Sequence, residues 1–150
     1  MGIPGLLQLL KPVTVPVSIK ALAGKTVAID AYSWLHKGAY GCPMELVEGR
    51  DTNVYIKYCM KRLGMLIHHK VKPYVVFDGG YLPSKAGKED EREARRTQYK
   101  SKGMAFLRAG NKKAAMDCFQ KCVDITPEMA LKLVESCKDA GVRACLAYLV

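Results

Sequence analysis

The chain has 150 residues, 49% of them hydrophobic, which is enough to bury one core and excludes a disordered chain as the default. It carries 24 Lys and Arg against 14 Asp and Glu, a formal net charge of +10. An excess of this size favours a polyanionic partner, with nucleic acid ahead of an anionic membrane surface, although a merely soluble basic protein fits the charge equally well.

The six cysteines predict buried thiols rather than disulfides or a zinc site. No two of them form a Cys-x-x-Cys pair, and the three histidines are not at zinc-finger spacing. The N-terminal stretch MGIPGLLQLLKP lacks the basic region of a secretory signal, and its apolar run is too short for such a signal or for a membrane span. We therefore expect reduced cysteines in an intracellular protein.

Two short apolar segments that end in aspartate predict parallel strands. They are Lys25–Asp30 (KTVAID) and Pro73–Gly80 (PYVVFDGG), and their hydrophobicity is continuous rather than alternating, as in strands covered on both faces. Between them, Val54–His69 has apolar residues at helical spacing. A strand, a helix and a second parallel strand form a βαβ unit with a right-handed crossover.

The two strand-ending aspartates, Asp30 and Asp78, predict a shared site. Ligands of an open parallel sheet collect beyond the carboxyl ends of its strands, so both side chains are expected at that edge. The alternative is that each aspartate caps the following turn or helix. The matching context of the two favours a site, and a bound cation would offset the repulsion between the carboxylates.

The most polar stretch of the chain, Leu82–Lys113, predicts a basic helix. It holds ten cations and four acids, a net +6. The acids gather at the start, where the helix dipole favours them, and a stripe follows at helical spacing: Lys88, Arg92, Arg95, Arg96 and Tyr99. A charged stripe is usually a solvated helix face, but this one directly follows an aspartate-ended strand, which favours phosphate contact.

Asn111–Val134 predicts two helices, separated before Pro127, with Thr126 as the N-cap of the second. The segment resembles one helix of a tetratricopeptide repeat, but such arrays need several copies and the sequence contains one. In a plain helical hairpin, the residues facing the core would be Ile125, Met129, Leu133 and Cys137. The second helix ends near Gly141, and Val142–Val150 is expected to form a short hydrophobic tail.

Four segments, in this order, resemble the N-terminal region of the structure-specific 5′ nucleases, a family that includes flap endonucleases, the nucleotide-excision nuclease and exonuclease 1. They are MGIPGLLQLL, VAIDAYSWLHKG, KPYVVFDGGYLPSK and EREARR. Three further stretches, YSWLHKGAYGC, GYLPSK and DCFQKCVDITPEMA, look most like the exonuclease-1 branch. The likeness covers nearly the whole chain. It implies a PIN-like α/β domain with a parallel sheet, which cuts DNA phosphodiesters with two divalent metals held by carboxylates.

The resemblance implies roles for individual residues. Asp30 and Asp78 match the family's first two metal-site aspartates. Lys85 and Arg92 match the basic pair of the helical gateway, which steers the scissile phosphate and stabilises its developing charge. Further DNA contacts are implied at the N-terminus, behind the first strand and along the basic helix: Gly2, Tyr32, His36, Arg95 and Arg96. The large ring of Trp34 is expected to pack in the core instead.

The chain departs from the family pattern near its end. The family continues through a strand into an acidic Glu-x-Asp turn and a Gln-Leu-Ala-Tyr-Leu-like helix, whereas this chain runs GVRACLAYLV. We therefore expect a nuclease fold that is incomplete at the C-terminus, holding at most one Mg²⁺ weakly where the complete family site has two. Its expected parts are a strand–helix–strand core (1–81), a basic helical gateway (82–113), and a helical hairpin and tail (114–150).

The expected function is that of the N-terminal part of an exonuclease-1-like 5′–3′ exonuclease or flap endonuclease in DNA repair, including mismatch repair. The expected partners are DNA with 5′ ends, flaps, nicks or gaps, in the nucleus and without a membrane. The missing acids predict that this chain is inactive by itself. The alternative is a helical-repeat-like interaction protein that uses its basic surface to bind an acidic protein partner.

Overall fold

Three parallel strands form one sheet, in the spatial order β1-β2-β3. The computed structural model describes residues 3–79 and 86–147, with side chains for residues 3–79 and 90–147. The strands are β1 (Thr26–Asp30), β2 (Lys72–Asp78) and β3 (Arg143–Ala147). The sequence prediction of two parallel strands joined by a long helical crossover is confirmed.

Helices precede and connect the strands. They are α1 (Leu6–Leu10), α2 (Ala31–Ala39), α3 (Pro43–Val47), α4 (Val54–His68), α5 (Ala86–Arg108), α6 (Lys112–Cys122) and α7 (Pro127–Asp139). Two short 3₁₀ helices, Lys11–Val13 and Ile19–Leu22, follow α1. Among the described residues, no helix is long and apolar enough to cross a membrane.

The core lies between the sheet and the helices α2, α4 and α7. Helix α4 forms because its apolar residues recur on one face, and that face is buried against α2, β2 and α7. The sheet contributes Ile29, Val75 and Phe77, each at most 5% exposed. Because β1 and β2 pair in parallel, their carboxyl ends meet at one edge of the sheet.

The basic helix α5 packs chiefly on α6. The two helices approach closely at Gly103, where an added Cβ would lie 2.5 Å from a ring carbon of Phe119. Phe119 is 1% exposed and belongs to the apolar face of α6. A glycine is therefore required for α5 to lie this close to α6.

Two expectations for the second half of the chain are wrong. The segment expected to be a hydrophobic tail contains β3, which pairs with β2 from Tyr74 opposite Arg143 to Asp78 opposite Ala147. The reason is that the free edge of β2 offers a full ladder of backbone hydrogen bonds. The N-cap Thr126 is confirmed, but α6 and α7 do not form a hairpin, because the apolar face of α6 meets α5 and that of α7 meets α4.

Candidate metal and nucleic-acid site

Two aspartates lie at the carboxyl edge of the sheet. Asp30 is the last residue of β1 and Asp78 the last of β2, and the register places Asp30 opposite Val76. Because side chains alternate along a strand, Asp78 points to the same face as Val76 and therefore as Asp30. From strand spacing and rise, their Cα atoms are about 8 Å apart. This separation lets two carboxylates approach one cation.

Asp30 also begins the helix that follows it. One carboxylate oxygen accepts a hydrogen bond from the backbone N–H of Ser33 at 3.0 Å, and the other accepts one from the Ser33 hydroxyl at 2.6 Å. Burial alone would raise the pKa of Asp30, but the hydrogen bonds from Ser33, with smaller contributions from the Tyr32 backbone and from His36, together hold the pKa below its ordinary value. The carboxyl group is therefore ionised at neutral pH, as a metal ligand must be.

The capping role and a metal-binding role of Asp30 are compatible. Each carboxylate oxygen can accept two hydrogen bonds or metal bonds, and Ser33 uses one position on each. Mg²⁺ keeps several of its waters and is commonly bound by one or two protein carboxylates, so Asp30 and Asp78 suit one hydrated ion. Among the side chains that the structure describes, those of residues 3–79 and 90–147, there is no group of three or more His, Cys, Asp or Glu arranged to hold a metal.

The aromatic residues of α2 pack against the core. The Tyr32 ring is half-buried and meets the ring of Phe77 edge-on, with 6.3 Å between the ring centroids. Phe77 is the residue immediately before Asp78 in β2. Trp34 packs against the core, as predicted, and the Arg62 guanidinium lies 5.7 Å from the centre of its ring. Because side chains alternate along β2, Phe77 and the Tyr32 ring lie on the face of the sheet opposite to Asp78, whereas Trp34 serves the contact between α2 and α4.

His36 connects the aspartate edge with the basic helix. Burial lowers its pKa below the ordinary value, and the charges around it act in both directions: Asp124 and Asp30 raise it, while Arg96 and Arg92 lower it. The imidazole therefore lies within electrostatic reach of the end of β1, of α5 and of the segment before α7. Arg92 and Arg96 of α5 therefore surround the same imidazole as Asp30 does.

The arginines predicted to contact phosphate differ in their surroundings. Arg92 and Arg95 are exposed on α5. Arg96 has a side chain only 19% exposed and forms ion pairs with Glu93 at 2.7 Å and with Asp124 at 3.2 Å. Arg96 is thus engaged with two acids, which a direct phosphate contact would have to displace.

Two predicted residues, Gly2 and Lys85, lie outside the described residues. Two other functional residues were not predicted. Ser33 follows Asp30 by three positions, a spacing typical of a helix cap, and this signal could have identified it. Asp124 lies in the short segment between α6 and α7, and no sequence pattern indicates its ion pair with Arg96.

The sequence matches the XPG N-terminal domain over residues 1–99. It is 49% identical to Exonuclease 1 of Oryza sativa subsp. japonica over 142 residues, which are 95% of this chain and 17% of that protein. It is 46% identical to Exodeoxyribonuclease 1 of Saccharomyces cerevisiae over 147 residues, which are 98% of this chain and 21% of that protein. The chain therefore spans about a fifth of the length of these relatives.

The fold is similar to the catalytic core of Rad2 in a complex with DNA substrate, with a TM-score of 0.64 and 21% sequence identity over 97% of this chain and 39% of that one. The predicted parallel α/β fold of the 5′ nuclease kind is thereby confirmed. The domain match covers about two thirds of the sequence, including both aspartates and the start of α5. The chain belongs to the XPG N-terminal domain family.

Proposed function

We propose that the chain is the N-terminal part of an exonuclease-1-like 5′ nuclease that acts in DNA repair in the nucleus. Its substrates are DNA with 5′ ends, flaps, nicks or gaps, and its metal is Mg²⁺. Asp30 and Asp78 are the proposed metal ligands, and Lys85 and Arg92 the phosphate-orienting pair. Further contacts to DNA are assigned to Gly2, Tyr32, His36 and Arg95, whereas a direct contact from Arg96 requires that its ion pairs with Glu93 and Asp124 open.

One observation carries the proposal: Asp30 and Asp78 share one edge and one face of a parallel sheet, and His36 lies within electrostatic reach of both Asp30 and the arginines of α5. A cation there would hold a phosphate against acids that otherwise repel it, and Arg92 would contact the same phosphate from α5. Bound divalent ions of this kind activate water and offset the charge of the reacting phosphate. The net charge of +10 attracts DNA at long range but does not distinguish it from other polyanions.

The test is metal-dependent DNA binding rather than cleavage. Affinity is measured by fluorescence anisotropy for a fluorescein-labelled duplex with a recessed 5′ end, with EDTA and with Ca²⁺, which occupies oxygen sites without supporting turnover. We expect Ca²⁺ to strengthen binding by the wild type about tenfold, because it converts a repulsive carboxylate pair into a phosphate site. In the Asp30→Asn and Asp78→Asn variants this gain should be lost, although their affinity in EDTA should be equal or higher.

Asp139→Asn is the matched control, because it makes the same change of charge. Asp139 ends α7 just before β3 and so lies at the opposite edge of the sheet. This variant should keep the full gain with Ca²⁺. A gain that survives both Asp30→Asn and Asp78→Asn would refute the metal site, and equal affinity for a labelled acidic peptide would favour a protein partner instead of DNA.

A further inference from the structure

An ion pair ties the basic helix to the segment that joins α6 to α7. A guanidinium nitrogen of Arg96 on α5 lies 3.2 Å from a carboxylate oxygen of Asp124, in the segment that joins α6 to α7. That oxygen also accepts a hydrogen bond from the backbone N–H of Ile125 at 3.0 Å, which orients the carboxylate independently of Arg96. The pair therefore connects α5 to a part of the chain fixed by the core, where Val123 and Ile125 are buried.

This tie matters because α5 makes few other contacts with the core. Among the described elements it packs extensively only on α6. On its other side, a cavity of about 470 Å³ separates it from α3 and α7, with Leu46, Met129 and Arg96 among the lining residues. The Arg96–Asp124 pair bridges the edge of this cavity, where apolar packing does not hold the helix.

A second fixed point lies further along the helix, where Gly103 touches Phe119. The two fixed points are seven residues apart, or about 10 Å along the axis. Together with the packing on α6 they set the direction of α5, and without the Arg96–Asp124 pair the end of the helix that carries Arg92 would be freer to swing. Arg92 lies one turn beyond Arg96, about 6 Å further from the pivot, so any swing of α5 moves it relative to the aspartate edge.

We propose that Asp124 is a positioning residue: through Arg96 it fixes the basic helix across the cavity and so sets the position of Arg92 relative to Asp30. The inference rests on the proposed function. It also changes the role of Arg96, which acts through Asp124 rather than as a direct phosphate contact. The two roles make opposite predictions for the DNA affinity of Asp124→Asn. If Arg96 contacts phosphate directly, removing the carboxylate frees it and strengthens binding. If Arg96 positions α5 through Asp124, removing the carboxylate loosens the helix and weakens binding.

The first measurement needs no DNA. Hydrogen exchange of the full 150-residue chain is compared between the wild type, Asp124→Asn and the control Glu93→Gln. Glu93 also pairs with Arg96 but lies on α5 itself, so its loss changes the charge equally without freeing the helix. In Asp124→Asn, the exchange rate of residues 90–100 should rise about three- to fivefold, which corresponds to losing the free energy of a well-formed, partly exposed ion pair. Exchange in β1 and β2 should not change. Glu93→Gln should change the exchange rate of residues 90–100 less than about twofold.

The second measurement is affinity for the fluorescein-labelled duplex with a recessed 5′ end, in Ca²⁺. Asp124→Asn should weaken binding about threefold relative to Glu93→Gln, although both variants gain the same positive charge. Asp124→Glu, which keeps the carboxylate, should restore the wild-type affinity and exchange. A merely structural role for Asp124 would instead raise exchange throughout the sheet.

The outcomes separate this inference from the proposed function. Unchanged exchange in α5 overturns the positioning role whatever DNA does. Tighter binding by Asp124→Asn, with a salt dependence steeper by about one unit, overturns it in favour of a direct Arg96–phosphate contact. If the helix loosens but the wild type does not bind DNA, the ion pair stands, while the proposed function and this role in it both fail.

Discussion

Replacing Gly38 with alanine should destabilise the protein, because α2 and α4 touch through this residue. Gly38 is buried in α2, and a Cβ built on it would lie 2.8 Å from the carbonyl oxygen and 2.9 Å from the Cα of Tyr55 in α4. Both atoms belong to the backbone, so no side-chain rotation can relieve the contact. The helices must separate, and α2 is the helix that begins at Asp30 and carries His36.

The expected magnitude follows from two opposing effects. Alanine is more favourable than glycine inside a helix by about 1 kcal/mol. Overpacking of a buried contact costs about 1–3 kcal/mol, and the upper value applies here because backbone atoms are met. The net loss in the free energy of unfolding should therefore be about 2 kcal/mol, or a fall of about 4–8 °C in the melting temperature.

Gly64→Ala is the matched control. Gly64 lies inside α4, is exposed, and has no atom within 4 Å of an added Cβ. The substitution should stabilise the protein by about 1 kcal/mol, because only the helix preference changes. Urea unfolding followed by circular dichroism measures both variants. If Gly38→Ala and Gly64→Ala shift the free energy of unfolding in the same direction, the close approach at Tyr55 does not constrain the two helices, and the reasoning is wrong.

Three further predictions concern the candidate site. With Mg²⁺ or Mn²⁺, the chain should release at most trace product from a 5′-labelled duplex with a 3′ overhang, because two carboxylates cannot hold two ions about 4 Å apart. Robust release that vanishes in Asp78→Ala would contradict this. Replacing Lys85 and Arg92 with alanine should weaken binding equally for unrelated DNA sequences and lower the salt slope by about one unit per lost contact, as measured by anisotropy titrations; a sequence-selective loss would count against phosphate contacts. Because the pKa of Asp30 is lowered on folding, its contribution to stability is present above about pH 4 and lost as the pH falls through the folded value; Ser33→Ala should flatten this acid-side loss in urea titrations, and an unchanged profile would refute the role of Ser33.

The parts of the fold that depend on local pattern could be predicted from the sequence. The strands ending at Asp30 and Asp78, the helix between them and the N-cap Thr126 follow from short-range signals, and parallel topology alone brings the two aspartates to one edge. Asp30 shows how two interpretations of one residue can both hold. The structure shows it capping α2, and its remaining lone pairs are compatible with binding a metal.

The parts that depend on distant partners could not be predicted. The sequence of Arg143–Ala147 lacks a clear strand pattern, and Leu146 is 56% exposed, so the free edge of β2 makes these residues a strand. The partners of α6 and α7 are likewise chosen by packing rather than by their proximity in sequence. Asp124 is an acid in a short loop, and its contact with Arg96 depends on where α5 comes to lie.

The strand order has a consequence for how the chain folds during synthesis. Every pairing in the sheet joins segments far apart in sequence: β2 ends at Asp78, and its second neighbour begins only at Arg143. At a translation rate of about 5–20 residues per second, β2 waits roughly 3–13 s for that partner to be synthesised, with one hydrogen-bonding edge open. An open edge is a template for pairing with other chains, so the interval after α4 has docked is the time of greatest aggregation risk. The strongly charged α5 is synthesised within that interval, and its positive charges would keep nascent chains apart by repulsion.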